Sequence, residues 1–342
     1  MARRKPIPIT IVAGLRGAGK TTLINRLLAD PLFQDTAVIL NDFGEVPLVG
    51  AAVDSATDGY IALGSGCVCC AVRGPLVDSL EGILRDIDNR RMAVISRLVI
   101  EADEAADPAS IFRAVMFHPY LSQRYAPDGI VAVIAGSRVA SVLADRAETV
   151  RQVAMADVVA VSRWEEGLGD LVRLSPWALV TDAAKVPARQ IVSRVSFDAT
   201  LDNVDAWLGA PISGVPRSGE AGRIHAFAVS RDSSLPPQSL DLFLEYLATL
   251  QGANLIRVRG AVATPDSDVA FIEGFGGSFL PPVVASFPAG KLLSRFAVVA
   301  HDLDRATFEG YFDAFLNEPR VDAPDRKALT ENPLAIGGFR AR

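Results

Sequence analysis

IPITIVAGLRGAGKTT, residues 7–22, is the stretch that decides the fold. Its first half is an apolar run rich in β-branched residues, typical of a buried strand, and a Gly-rich turn then opens a helical run. Gly14, Gly19, Lys20 and Thr21 stand at the spacing of a phosphate-binding P-loop. Glycines let consecutive backbone N–H groups face phosphates, and the helix start adds the positive end of its dipole. We therefore expect Lys20 to neutralise the outer phosphates and the Thr21 hydroxyl to ligate Mg²⁺.

The composition limits the classes of function. The chain has 342 residues, half of them hydrophobic, and a formal net charge of -6. This length predicts two domains. Acidic and basic residues are interspersed, so no basic stripe favours nucleic acid as an obligate partner. No signal-peptide-like segment or long apolar span occurs, which predicts no membrane insertion and a cytoplasmic location.

The cysteines form a single cluster. All three lie within four positions, at Cys67, Cys69 and Cys70. An odd, clustered set is a poor disulfide framework, and its spacing indicates a site for zinc or another soft or borderline metal. Glu45, a water or a partner's side chain is the expected fourth ligand. Two other interpretations stay open: small buried core residues, and a thiol redox switch.

Strand and helix patterns alternate along the first half of the chain. Strands are predicted at 36–41, 96–101, 129–136, 157–162 and 177–181, helices at 71–91 and 140–156, and a loop or small hairpin at 46–65. This alternation predicts a doubly wound α/β fold with a parallel sheet, whose ligands bind at the carboxyl ends of the strands. Glu101 ends one of these strands, the position where P-loop enzymes place a carboxylate near the metal.

The domain boundaries follow from changes in this pattern. Residues 1–185 are predicted to form the nucleotide- and metal-binding domain, and 186–222 lose periodicity and read as a linker. Residues 223–318 mix strands with two helices, which predicts a smaller α+β domain. Residues 319–342 are expected to be a poorly ordered tail.

Eight motifs, taken in sequence order, carry a resemblance to a known family. They are GLRGAGKTT (14–22), NDFGE (41–45), GCVCC (66–70), IEADEAADP (100–108), QVAMAD (152–157), GANLIRVRG (252–260), FLPPV (279–283) and SRFAVVAHDLDR (294–305). On these motifs, and on GCVCC above all, the chain resembles the CobW-like P-loop GTPases, which include nitrile hydratase activators. The resemblance implies a GTP-driven switch that binds a divalent metal, usually zinc or cobalt, and delivers it to a client metalloprotein. It implies that Cys67, Cys69, Cys70 and Glu45 hold that metal.

Two segments depart from the family pattern. The family has Glu-x-x-Gly where this chain has Glu101 to Glu104, so a carboxylate stands where a glycine N–H normally meets the γ-phosphate. The family's guanine-binding Asn-Lys-x-Asp aligns with Ser162 to Glu165. Glu165 can still accept hydrogen bonds from guanine, and Arg163 can stack on the base. The predicted nucleotide-binding residues are Gly14, Gly17, Ala18, Gly19, Lys20, Thr21, Thr22, Arg163 and Glu165.

The sequence thus predicts a metal chaperone with GTP hydrolase activity, in which Lys20, Thr21 and Glu101 carry the chemistry. GTP, Mg²⁺ and zinc are the expected ligands, with ATP and cobalt as open alternatives. A non-hydrolysing nucleotide- and metal-binding adaptor, or a thiol redox sensor, is the competing hypothesis. The client protein and the oligomeric state do not follow from the sequence.

Overall fold

A computed structural model describes residues 5–40, 60–62, 75–165, 168–192, 223–266, 268–286 and 294–316. Its first sheet has seven parallel strands in the order β3-β2-β4-β1-β5-β6-β7. The strands are β1 (Ile7–Gly14), β2 (Thr36–Leu40), β3 (Tyr60–Ala62), β4 (Arg97–Glu101), β5 (Tyr125–Ala135), β6 (Val158–Ser162) and β7 (Leu179–Asp182). The helices are α1 (Lys20–Leu28), α2 (Pro75–Asp88), α3 (Pro108–Met116), α4 (Leu121–Arg124), α5 (Val139–Asp145), α6 (Ala147–Met155) and α7 (Gly169–Leu174). The predicted doubly wound α/β fold is confirmed.

β1 lies at the centre of this sheet and is buried on both faces. Ile9 and Ile11 point into a core shared with α2 and α3, whereas Val12 points into a second core with α1. Successive side chains of a strand alternate between faces, so a strand covered on both faces is mostly apolar, and the one buried polar side chain of β1, Thr10, donates to Asp128 at 2.9 Å. Residues 183–192, which include the start of the predicted linker, also contribute to the α1 core. The domain boundaries themselves stay a prediction.

Two details of the first half differ from the sequence prediction. Tyr60–Ala62 falls in the segment predicted as a loop or hairpin, yet it pairs in parallel with β2, with Ala62 opposite Leu40. The predicted helix over 140–156 is two helices, because the backbone leaves the helical region at Arg146 (φ -123°, ψ 87°). No glycine or proline marks that break, so the pattern alone predicts one continuous helix.

The second sheet is antiparallel and carries two helices. Its main path has the order β11-β10-β9-β13-β8, and β12 also pairs with β10. Its strands are β8 (Ile224–Arg231), β9 (Leu255–Ala263), β10 (Asp268–Phe275), β11 (Ser278–Phe279), β12 (Val283–Ser286) and β13 (Ser294–His301). Helices α8 (Pro237–Gln251) and α9 (Arg305–Leu316) pack on one face through a cluster that includes Phe243, Phe296, Phe308 and Phe312. This is the expected smaller α+β domain.

The other face of the second sheet packs on the first domain. Ile256 and Phe271 belong to the same apolar core as Phe112 of α3, and the rings of Phe112 and Phe275 meet edge to face at 5.2 Å. The two sheets therefore share one continuous core. Within the described residues, no helix is long and apolar enough to cross a membrane.

A buried ionic cluster joins the two domains beside this core. Arg257 and Arg259 of β9 donate to Oδ1 of Asp157, at 2.7 and 2.5 Å, and both also donate to Glu273 of β10. Arg257 also donates to the carbonyl of Met155 at the end of α6 (2.5 Å). Burial acts to raise the pKa of Asp157, but the two guanidinium groups outweigh it and hold the pKa below its ordinary value. All four charges are compensated inside the interface, so each depends on its partners.

Candidate nucleotide-binding site

The P-loop connects the end of β1 to the start of α1, as predicted. Gly14, Gly17 and Gly19 have φ values of 140°, 76° and 104°, which ordinary residues rarely adopt. At Gly14 the space is closed as well, since a Cβ atom there would lie 2.2 Å from the carbonyl oxygen of Val133. Glycine at these positions is therefore required by the backbone, and the resulting loop opens directly onto the first turn of a helix.

Lys20 lies folded beneath this loop and is 8% exposed. Its ammonium group donates to the carbonyl oxygens of Gly14 (2.9 Å) and Leu15 (3.3 Å). Oε1 of Glu101 is 3.8 Å from the same nitrogen. A cation held against a loop of backbone N–H groups is suited to neutralise an outer phosphate.

Thr21 and Glu101 form the second part of the site. The Thr21 hydroxyl donates to both carboxylate oxygens of Glu101, at 3.3 and 3.2 Å. Glu101 ends β4 beside β1, opposite Val12. A hydroxyl and a carboxylate are hard oxygen ligands that suit Mg²⁺. The predicted residues Lys20, Thr21 and Glu101 are therefore brought together, although their catalytic roles stay a prediction.

Glu104 also contacts the P-loop. Its Oε2 accepts a hydrogen bond from the backbone N–H of Arg16 at 3.1 Å. Gln152 of α6 fixes the surrounding loop, because its Nε2 donates to the carbonyls of Asp103 (3.3 Å), Glu104 (3.1 Å) and Ala106 (2.8 Å). Gln152 stood within a motif of the sequence, but no local pattern indicated this role.

The far side of the P-loop borders a cavity of about 140 Å³. Residues 15–18, Ser137, Arg138 and Arg163 contribute to its lining. On this side Ser162, the last residue of β6, is hydrogen-bonded to the P-loop, since its hydroxyl donates to the carbonyl of Ala18 at 2.7 Å. Of the two predicted base contacts, Arg163 borders the cavity, whereas Glu165 is exposed and is not among its lining residues.

The predicted metal ligands Glu45, Cys67, Cys69 and Cys70 lie outside the described residues. Within the part of the chain that the structure describes, no group of three or more His, Cys, Asp or Glu side chains could hold a metal ion. The transition-metal site therefore stays a prediction from the sequence.

Gly14→Ala is expected to reduce nucleotide affinity and to lower the free energy of unfolding by about 1–3 kcal/mol. The new Cβ meets the Val133 carbonyl at a φ that alanine disfavours, so the end of β1 must shift. Urea denaturation and titration with a fluorescent nucleotide measure the two effects. Gly169→Ala is the control, because a Cβ there meets no atom within 4 Å. Equal behaviour of the two variants would contradict this account.

Comparison with known proteins gives one family match and several relatives. The family described as CobW/HypB/UreG, nucleotide-binding domain, matches residues 8–167. Zinc chaperone YjiA of Escherichia coli is 36% identical over 129 residues, which cover 38% of this chain and 40% of YjiA. Zinc chaperone CobW of Sinorhizobium sp is 30% identical over 146 residues, covering 41% of this chain and 40% of that protein. Zinc-regulated GTPase metalloprotein activator 1 of Schizosaccharomyces pombe is 28% identical over 149 residues, covering 42% and 35%.

These sequence matches span at most about two fifths of the curated relatives. A solved structure, Zn(II)-bound YjiA GTPase from E. coli, superposes with a TM-score of 0.65 at 22% identity, covering 91% of this chain and 99% of that one. The superposition shows that the two-domain fold is shared over nearly the whole of both chains.

Proposed function

We propose that this chain, whose residues 8–167 match the family described as CobW/HypB/UreG, nucleotide-binding domain, is a nucleotide-dependent metal chaperone. It binds GTP and Mg²⁺ at the P-loop, binds one divalent metal, zinc first, and delivers it to a client metalloprotein. The convergence of Lys20, Thr21 and Glu101 on the P-loop carries the proposal. The relatives named as zinc chaperones and as a zinc-regulated GTPase metalloprotein activator support the choice of metal and nucleotide.

The role of each of these side chains at the nucleotide follows from its position. The P-loop amides and Lys20 hold the phosphates, and Lys20 exchanges its carbonyl contacts for phosphate oxygens. Thr21 and Glu101 would hold Mg²⁺, which neutralises charge on the phosphates when bound. Glu101 also stands where it can orient an attacking water. Residues 14–22 and 101 are therefore the hydrolytic part of the protein.

Strand register supports a link between this site and the cargo metal. Leu40 of β2 is paired with Glu101 on one side and with Ala62 of β3 on the other. The NDFGE segment begins at the residue after Leu40, and Cys67 follows Ala62 by five residues. Five residues span at most about 18 Å, so both predicted metal-binding segments start from the edge of the sheet that carries Glu101. Nucleotide-dependent movement at this edge is thus the proposed means of changing metal affinity.

The experiment that tests the proposal is a zinc titration against a chromophoric competitor, with and without GTP. In the wild type we expect zinc affinity to change with the nucleotide. The variant Cys67→Ser/Cys69→Ser/Cys70→Ser is expected to lose at least about 100-fold in zinc affinity, since thiolates are its soft ligands. His225→Ala is the control and is expected to bind zinc normally. Unchanged zinc affinity in the triple variant would contradict the metal site and favour a thiol redox role.

A second candidate function is a nucleotide- and metal-binding adaptor without turnover. The contact between Glu104 and the Arg16 amide favours it, because that carboxylate occupies part of the phosphate-binding loop. Phosphate release measured with GTP and with ATP, in the presence and absence of zinc, separates the two functions. Tight binding of both nucleotides without turnover would support the adaptor.

A further inference from the structure

The outer end of the P-loop already binds an anion that belongs to the protein. Glu104 accepts the N–H of Arg16 at 3.1 Å, and that N–H is one of the loop's backbone donors. The position along the loop identifies the phosphate concerned. Lys20, the side chain that reaches outer phosphates, rests on the carbonyls of Gly14 and Leu15, the two residues before Arg16. The Arg16 amide therefore lies at the end of the loop that receives the terminal phosphate.

The backbone of Glu104 is held in place for this contact. Its own N–H donates to Oδ1 of Asp103 at 2.6 Å, and its carbonyl accepts from the buried Gln152 at 3.1 Å. Gln152 in turn sits on α6, whose last carbonyl accepts from Arg257 of the second domain. The carboxylate is thus presented to the P-loop by a fixed segment. A γ-phosphate approaching the same amide meets both an occupied donor and a like charge.

We propose that Glu104 is a specificity-determining residue that competes with the terminal phosphate, so that the site binds nucleoside diphosphates in preference to triphosphates. The inference rests on the proposed nucleotide site and specifies which nucleotide that site prefers. A diphosphate leaves the Arg16 amide to Glu104 and meets only the inner amides and Lys20. A triphosphate must displace the carboxylate first. Triphosphate binding then carries an additional cost that diphosphate binding lacks.

The test measures the affinities of GDP and of the non-hydrolysable analogue GppNHp, each with Mg²⁺, by isothermal titration. Glu104→Gln keeps the size of the side chain and removes its charge, and Glu104→Gly removes the side chain. We expect both variants to bind GppNHp about tenfold more tightly than the wild type, equivalent to about 1.4 kcal/mol, with GDP affinity changed by less than about twofold. Glu148→Gln, an exposed charge removed from α6, is the control and should leave both affinities unchanged.

The outcomes distinguish a failure of the proposed nucleotide site from a failure of the proposed selectivity. If the wild type binds neither nucleotide, the nucleotide site itself is wrong and the inference falls with it. If GDP and GppNHp bind but their affinity ratio stays at the wild-type value in Glu104→Gln, the selectivity inference alone is wrong. A change in Glu104→Gly without a change in Glu104→Gln would assign the effect to side-chain bulk and overturn the role of the charge.

Discussion

Asp157→Asn is expected to lower the free energy of unfolding by about 3–5 kcal/mol, the cost of leaving buried charges without their partner. Asp157 is 2% exposed and accepts hydrogen bonds from Arg257 and Arg259. Asparagine preserves the shape and can still accept the N–H of Ile130, which now bonds to Oδ2 of Asp157 at 2.9 Å. If its oxygen keeps that bond, its NH2 group faces the two guanidinium groups, so the variant loses both the negative charge and the hydrogen bonds from Arg257 and Arg259. The carboxylate of Glu273 would then be left to balance two buried guanidinium groups.

Urea denaturation followed by tryptophan fluorescence, to which Trp177 is one of three contributors, measures this effect. The Trp177 ring lies 5.5 Å from the guanidinium carbons of both arginines, so its fluorescence reports on the cluster. Asp170→Asn removes an exposed carboxylate that pairs with Arg173, and it is expected to change stability by less than about 1 kcal/mol. The double variant Asp157→Asn/Arg259→Met restores one cation to one carboxylate and should recover part of the loss. A loss in Asp157→Asn no larger than in Asp170→Asn would contradict the role of the cluster.

The same variant has an expected pH dependence. The folded-state pKa of Asp157 lies below its ordinary value, so the carboxylate stabilises the folded protein fully above the unfolded-state pKa of about 3.9. This contribution is lost as the pH falls through the lower folded-state pKa. The difference in stability between wild type and Asp157→Asn should therefore be constant at neutral pH and shrink below about pH 4. A difference that grows on acidification would contradict the sign of the shift.

Lys20→Ala is expected to weaken nucleotide binding about 10- to 100-fold, because hydrogen bonds to a charged group contribute about 1.5–3 kcal/mol. The ammonium group is buried against two P-loop carbonyls and Glu101, and no other lysine is among the described residues of the loop. Titration with a fluorescent nucleotide gives the affinity, and thermal unfolding shows whether the loop itself is destabilised.

Lys185→Ala is the matched control for Lys20→Ala. Lys185 follows β7 and its side chain is 84% exposed, so the same change of charge there is expected to leave affinity within about twofold. Similar losses in the two variants would indicate an effect of net charge and contradict a direct contact between Lys20 and phosphate. A drop in melting temperature without a drop in affinity would assign Lys20 a structural role.

The fold was predictable from the sequence where it depends on local patterns. The run before Gly14 predicted β1, Leu98–Ile100 marked β4, and the apolar spacing after Ala71 predicted α2. Each of these signals lies within one element, because the spacing of apolar residues in a buried strand or an amphipathic helix reflects which of its side chains are buried. The break at Arg146 was missed for the complementary reason: the apolar spacing continues across it, and packing of two helices decides it.

The site was predictable only in part, for a physical reason. The P-loop is a continuous stretch, so Lys20 and Thr21 follow from spacing alone. The contact between Glu104 and Arg16 joins residues 88 positions apart, and Asp157 meets Arg257 across 100 positions. Two arginines at alternate positions of the apolar strand LIRVRGAVA were the one visible signal of the buried cluster. Alternation places both side chains on one face, but it does not name the carboxylates that meet them.

The second sheet is covered on both faces, by its own helices and by the first domain, and this has a consequence for the order of synthesis. The ribosome releases β1 to β7 well before β9, so the emerging first domain presents Asp157 and the apolar side of α3 without their covering strands. Until residue 275 leaves the exit tunnel, this surface is open to ribosome-associated chaperones and to premature association with other nascent chains. We expect ribosome-bound chains that end before β9, with residue 157 already outside the tunnel, to recruit such chaperones, and chains long enough for β10 to leave the tunnel to release them.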